Sequence, residues 1–241
     1  GSLVAGIAHE INTPLGVALT AATYQTDRLK KMQTPDPAAA SQPPSYDPAI
    51  LDANSLIVRN LERAASLIRS FKQVSVDQTH GDVRDILLAQ YANDVFLSLS
   101  PYFRDKRIVL DNRIGPTVAI RCHAGALSQI LTNLFMNARI HAFADRPDGC
   151  IILNAEPEGE RLRFSFQDDG AGMADEVAAH AFDPFFTTLK NKGGTGLGLF
   201  IIHNLVFQSL GGNISLESGP GLGATFRLDL PRTPPEIKPS S

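Results

Sequence analysis

The chain has 241 residues, 43% of them hydrophobic and 20% charged, and its 22 Lys+Arg against 25 Asp+Glu give a formal net charge of −3. This is the composition of a globular protein rather than a disordered one, with length for one large domain or two small ones at roughly 100–200 residues each. The weakly acidic balance argues against a nucleic-acid surface, and two lone cysteines (Cys122 and Cys150) argue against a disulfide framework or a thiolate zinc site. No uninterrupted apolar run of about 18 residues is present to span a membrane. The chain starts Gly1-Ser2 without Met and runs at once into a helical pattern, as expected of a piece cut from a longer protein.

Residues 3–33 set apolar or small side chains at Ile7, Ile11, Leu15, Ala18 and Ala22, a helical spacing. Pro35, Pro37, Pro43, Pro44 and Pro48 then predict an exposed connector over 34–48. From Ile50 the pattern resumes at Asn54, Ile57, Leu61, Ala64, Ile68, Phe71 and Ser75, alternating threes and fours in a heptad seam. Two long helices joined by one loop make a hairpin over 3–76, and a lone hairpin buries such a seam poorly. Pairing two copies into a four-helix bundle covers it, which predicts a homodimer; the alternative is that the hairpin packs on the rest of its own chain.

After residue 80 the pattern turns to mixed α/β. A helix is predicted over 85–99, strands over 107–114 and 117–122, and a strong helix over 124–143 with Ala124, Leu127, Ile130, Leu131, Leu134 and Ala138 on its apolar face. Strands at 150–156 and 161–168 flank a Glu-Gly-Glu turn, 174–194 is irregular, and a helix at 197–210 precedes strands at 213–218 and 223–230. The Pro-rich tail 232–241 is expected to be disordered.

The segment AHEINTPLG holds the first chemistry. At 100° per residue His9 lies about 200° from Ile7 and Ile11, opposite the expected buried stripe and open to a second protein or domain. Glu10 is able to accept the ring Nδ1 proton, leaving Nε2 a neutral nucleophile, and Thr13 shares the face of His9 one turn on. Pro14 should bend the helix immediately after the site. An ordinary exposed histidine beside a carboxylate is the alternative.

Further along, Asn133 and Asn137 share one helix face with His141 on the next turn, and amide oxygens suit Mg²⁺. In DDGAGM (168–173) an acidic side chain at a strand end accepts from an exocyclic amine, with Gly170 and Gly172 allowing close backbone approach. A tight two-glycine turn is the plain alternative. GGTGLGL (193–199) opens a helix and suits phosphates, yet it is neither a Walker A loop nor a dinucleotide fingerprint. Between them FDPFFTTLKNK (182–192) either folds over a nucleotide, with Lys190 and Lys192 near its phosphates, or is a mobile loop anchored by phenylalanines.

Taken in order, AHEINTPLG, NLFMNA, DDGAGM, FDPFF, GGTGLGL and GLGATFRLDLP resemble the catalytic core of the sensor histidine kinases of two-component signalling, over about residues 3–231. The resemblance implies an α+β chain: a two-helix hairpin (3–76) dimerising into a four-helix bundle for histidine phosphotransfer, then an α/β sandwich ATP-binding domain of Bergerat type (82–231). It implies His9 as phospho-acceptor, Glu10 as its base and Thr13 as a residue placing water for dephosphorylation of the partner. It also implies Asn137 as Mg²⁺ ligand, Asn133 as a phosphate-side contact, His141 as a nucleotide contact and Asp168 as acceptor for the adenine amine beside Gly170 and Gly172. Gly194, Thr195, Gly196, Leu197 and Gly198 then match the lid over the phosphates. ATP and Mg²⁺ are the implied cofactors, and a response-regulator receiver domain is the implied partner. The fragment is expected to be cytoplasmic without inserting into a membrane, any anchor lying in a missing N-terminal region. Three positions depart from the family pattern: Asn12 stands for Arg, Ala224 for Thr, and Ile140 for a phosphate-binding Lys, with Arg139, Lys190 or Lys192 as candidates to compensate. A hinge is expected near 75–82. The rival readings are a nucleotide-binding docking or phosphatase module, and another ATPase of the same nucleotide fold.

Overall fold

The computed structural model describes residues 2–33, 48–76, 83–188 and 195–233. Two compact units divide the chain, one holding the described residues of 1–73 with Thr188 and Thr195 and the other those of 74–187 and 196–233.

The first unit carries two long helices, α1 (Ser2–Gln33) and α2 (Pro48–Val76). Helix α1 runs as one helix through Pro14, the residue expected to bend it. The residues that bury are small: Ala18, Ala21, Ala53 and Ala64, with Pro14. Ala18 and Ala64 belong to the expected seam, whose larger described members do not bury in the single chain. Leu15 (41% exposed), Leu61 (47%) and Ile68 (50%) stay in solvent, as do Leu19 and Asn54. A single chain has surface enough to cover small side chains, and covering the large ones takes further helices. The side chains of Ile7, Phe71 and Ser75 lie outside the described residues, as do the connector 34–47 and residues 77–82 of the expected hinge.

The second unit is a two-layer sandwich. Strands β1 (Val83–Leu87) and β3 (Ala119–His123) pair antiparallel. The main sheet holds β2 (Arg107–Asn112), β4 (Asp148–Glu158), β5 (Arg161–Asp168), β6 (Asn213–Ser218) and β7 (Ala224–Pro231) in the order β2-β4-β5-β7-β6. Only β2 and β4 in it run parallel. The expected helix over 85–99 is corrected in its first turn: Val83–Leu87 is strand, and helix α3 runs Leu88–Ser98. The strand exists because Ile86 finds Ile120 across the ladder, a distant partner that local periodicity does not register.

One face of the sheet alternates into the core through Ile151, Leu153, Leu162, Phe164, Phe166, Phe226 and Leu228. Helix α4 (Ala124–Asn137) covers it with Leu127, Ile130, Leu131, Leu134 and Phe135, all at 1% exposure or less. Phe135 meets Phe166 edge-on at 5.3 Å and Phe96 at 5.1 Å. Helices α5 (Asp175–Ala179) and α6 (Gly198–Asn204) complete the unit, α6 burying Ile201 and Ile202. The opposite face stays polar. A depression of about 600 Å³ there is lined by residues including Arg163, Ser165 and Arg227, and its arginines are matched by Glu158 and Glu217. Both cysteines are free, and burial pushes the Cys122 thiol up to about 12, which leaves it unreactive.

Helix α4 closes in a π turn, Ala138–Ala142, with Phe143 N–H donating to the Ala138 carbonyl at 2.9 Å. The carbonyls that follow are collected by one side chain: Lys106 Nζ donates to Phe143 O (2.6 Å), Arg146 O (2.8 Å) and Ala144 O (3.2 Å). Replacing Lys106 by Met keeps the stem and strands these carbonyls. We expect urea unfolding to show a loss of about 1.5–3 kcal/mol, the range for hydrogen bonds to a charged group. The neighbouring Arg107→Ala, which removes only an exposed 3.7 Å ion pair with Asp148, should leave stability little changed.

Candidate functional site

Asp168 is the only buried charged residue among the described residues, 3% exposed at the C-terminal end of β5. Its Oδ1 accepts from Gly170 N–H (3.0 Å) and from Ala224 N–H on the neighbouring strand (3.3 Å). Both described hydrogen bonds fall on Oδ1, which leaves Oδ2 for a ligand. Burial pushes the carboxyl pKa above its ordinary value, against the two backbone donors, which pull it down. Asp169 points elsewhere: its Oδ1 accepts from Cys150 N–H at 2.8 Å, and Arg146 bonds its carbonyl.

The loop after Asp168 is wedged against other backbone. A Cβ at Gly170 would overlap Ala142, whose carbonyl accepts from Ala171 N–H at 2.9 Å. Gly172 has φ +66°, and a Cβ there would overlap the Gly219 carbonyl. The close approach expected of these two glycines is thus made to protein, and it holds Asp168 against the end of α4. Two residues of the GLGATFRLDLP segment complete the arrangement. Gly223 (φ +73°) packs on the Asp168 carbonyl, and Ala224 supplies its donor from the main chain, so the departure from Thr costs none of that bond. Nothing local shows that the segment 219–223 folds back on residue 168.

On α4 the amide Nδ2 atoms of Asn133 and Asn137 are buried and have no hydrogen-bond partner among the described residues. Orphaned buried donors are rare and point to an absent ligand. The start of α6 lies over them: a Cβ at Gly198 would stand 3.3 Å from Asn137 Oδ1 and 3.9 Å from Asn133 Oδ1. Leu197, 2% exposed, caps α6 and anchors it, while Gly196 (φ +66°) packs on the backbone of Phe185, itself at φ +67°. His141 is exposed on the π turn, and desolvation pushes its imidazole pKa down. Thr195 is half-buried, and Thr13 is exposed on α1.

Other expectations fare differently. Arg139, a candidate to compensate for the missing lysine, is engaged by protein: its guanidinium donates to both Asp105 oxygens at 2.9 Å and to the Tyr102 carbonyl. Ile140 itself is 41% exposed. Lys190, Lys192 and Gly194 lie outside the described residues, as do the side chains of His9 and Glu10, whose backbone is in α1. No group of three or more His, Cys, Asp or Glu side chains suited to a metal occurs among the described residues, and no described helix is long and apolar enough to cross a membrane.

Two substitutions test this geometry. Gly159 also has positive φ (+59°) but open space around it, so Gly159→Ala should cost only the backbone term of about 1–2 kcal/mol. Gly223→Ala adds the overlap with Asp168 and should destabilise by more than that in the same unfolding assay. Asp168→Asn replaces a charge whose folded-state pKa is raised. Such a group favours folding below the ordinary carboxylate range and loses that contribution as pH rises through the raised value. The Asn variant should therefore be at least as stable as wild type at neutral pH, with the difference closing in mild acid.

A family model described as Histidine kinase-, DNA gyrase B-, and HSP90-like ATPase matches residues 122–234. The sensor histidine kinase ZraS of Escherichia coli (strain K12) is 32% identical over 234 residues, covering 96% of this chain and 45% of ZraS, so the chain spans less than half of that relative's length. Among solved structures, the catalytic domain of histidine kinase ThkA aligns at TM-score 0.54 and 26% identity, over 64% of this chain and 97% of that domain. ThkA in complex with the response regulator protein TrrA aligns at TM-score 0.67 and 22% identity over 98% of this chain and 63% of that one, a likeness of fold. An ATPase-family match over 122–234 and curated sensor histidine kinases aligned across nearly the whole chain together support a sensor histidine kinase catalytic region.

Proposed function

We propose that this chain phosphorylates itself on His9 with ATP and passes the phosphoryl group to an aspartate of a response regulator. The observation that carries the reading is the buried Asp168 carboxylate, held on Oδ1 by two backbone donors with Oδ2 left for a ligand. A carboxylate so placed reads the exocyclic amine of adenine. The triphosphate then extends toward α4 and the start of α6, where Asn133 and Asn137 keep unmet amides. Asn137, with Asn133 beside it, is the residue that would hold Mg²⁺, since a half-turn of either amide presents its oxygen. When bound, the ion supplies charge neutralisation to the phosphates.

In the reaction His9 Nε2 forms a bond to the γ-phosphorus as the bridging oxygen bond breaks and ADP leaves, while Glu10 takes the Nδ1 proton. The regulator's aspartate oxygen then attacks the same phosphorus and the P–N bond breaks while Glu10 returns its proton to Nδ1, so that His9 leaves as the neutral ring. Thr13 is the residue for placing the water that hydrolyses the regulator's aspartyl phosphate. ThkA, solved with a response regulator, is the precedent for the partner. The domains follow as a hairpin (3–76) and an ATP-binding domain (82–231), with the tail 232–241 outside both. Leu15, Leu19, Leu61 and Ile68, exposed in the single chain, support a homodimer through a four-helix bundle. Dependence on ATP is the reason to assign this region to the cytoplasm.

A second reading, a nucleotide-binding docking or phosphatase module with little kinase activity, is favoured by one feature. Ile140 is uncharged and Arg139 is tied to Asp105, which leaves the phosphates short of a cation among the described residues. Incubation with labelled Mg-ATP separates the two. Wild type should incorporate acid-labile phosphate and His9→Gln none, with nucleotide affinity unchanged. Phosphate on the Gln variant would sink the assignment of His9, and no phosphate on wild type would favour the module. Mixing His9→Gln with Asn137→Ala protein reports whether transfer crosses the dimer, because only then does label reappear.

A further inference from the structure

Ser218 is the last residue of β6, and the sheet register runs Ser218–Ala224–Asp168 across β6, β7 and β5. Its Oγ accepts from Met173 N–H at 2.9 Å and donates to the Gly223 carbonyl at 2.7 Å. One hydroxyl thereby joins the loop that follows Asp168 to the turn that precedes Ala224. We propose that Ser218 is a positioning residue for nucleobase recognition, its hydroxyl bridging the two loops that aim the Asp168 carboxylate at the base. The proposal rests on the reading that Asp168 takes adenine.

The two groups that Ser218 binds are each one residue from a contact that fixes Asp168. Gly223 leads directly into Ala224, whose N–H reaches Asp168 Oδ1 at 3.3 Å, the longer and more easily lost of the two bonds there. Met173 follows Gly172, which is wedged on the Gly219 carbonyl. Apart from Ser218, the described hydrogen bond that ties the loops together is Gly221 N–H to Ala171 O at 2.7 Å. Without the hydroxyl, Met173 N–H and Gly223 C=O lose their partner in half-buried surroundings. The ladder pairing of β6 with β7 and of β7 with β5 remains, so the sheet keeps its register while the 219–223 turn drifts from the 168–173 loop. Ala224 N–H moves with that turn, and burial, which already pushes Asp168 toward its protonated form, is then less opposed. A protonated or turned carboxyl is a poorer acceptor for an amine.

The test compares ADP with inosine diphosphate, which carries an oxo group in place of the exocyclic amine; diphosphates avoid turnover. Dissociation constants are measured by titration calorimetry for wild type, Ser218→Ala, Ser218→Thr and Asp168→Asn. Ser218→Ala should weaken ADP by about three- to tenfold, the worth of one hydrogen bond. Inosine diphosphate should hardly change, so discrimination narrows, and Ser218→Thr should restore it. Equal weakening of both nucleotides, or of neither, overturns the proposal, because a merely structural role does not distinguish the bases. If Ser218→Ala does not fold, Ser218→Cys keeps the size with weaker hydrogen bonding and is judged by the same outcomes. Asp168→Asn presents an N–H toward the base and should reverse the preference toward inosine diphosphate. An unchanged ratio there would defeat the adenine reading itself. A reversed ratio there, with Ser218→Ala unaltered, would defeat the role of Ser218 alone.

Discussion

The second unit is organised around a carboxylate kept in a place where water does not solvate it. Burying a charge costs several kcal/mol unless donors replace the lost water, and a ligand-reading group must leave one oxygen without a donor. The chain meets both demands at Asp168 by spending only main-chain N–H groups, those of Gly170 and Ala224, on Oδ1. Main chain must then come within van der Waals contact on several sides. Gly170 against Ala142, Gly172 against Gly219 and Gly223 against Asp168 are the three places where a side chain would hold it off. The glycines of the site are consequences of that one demand.

The same economy explains why α4 ends as it does. Its closing π turn brings Ala142 to the loop after Asp168, and Lys106 collects the carbonyls left over. The asparagines one and two turns earlier are thereby fixed relative to the carboxylate through backbone, with Phe135 packed on Phe166 beneath. Polar atoms left unmet on α4 and at Asp168 become tolerable if, as proposed, a nucleotide is their partner.

Much of this was legible in the residues. The apolar face of the asparagine helix, the alternation of Leu162, Phe164 and Phe166, and the acid followed by two glycines each follow from local rules. What local rules miss is pairing at a distance. Residues 85–87 read as the first turn of a helix because their partner β3 lies more than thirty residues away, and Gly223 reads as the start of a strand although it closes the preceding turn, packed on the carbonyl of residue 168. Charge is equally deceptive in sequence: Arg139 stands beside the position of the missing lysine, yet Asp105 holds it. On α1, periodicity alone does not tell a seam that one chain closes from one that needs more helices, and Leu15 and Pro14 exchange places accordingly.

Ala224 has a wider consequence. Its contribution to Asp168 is a peptide N–H, which every residue except proline carries, so the side chain at 224 is released from that duty. Drift at this position, as from Thr to Ala, leaves the polar contact on Oδ1 in place. An inhibitor built to engage the outer oxygen of Asp168 would therefore bind a feature held by the course of the chain, and escape by substitution of neighbouring side chains has few routes.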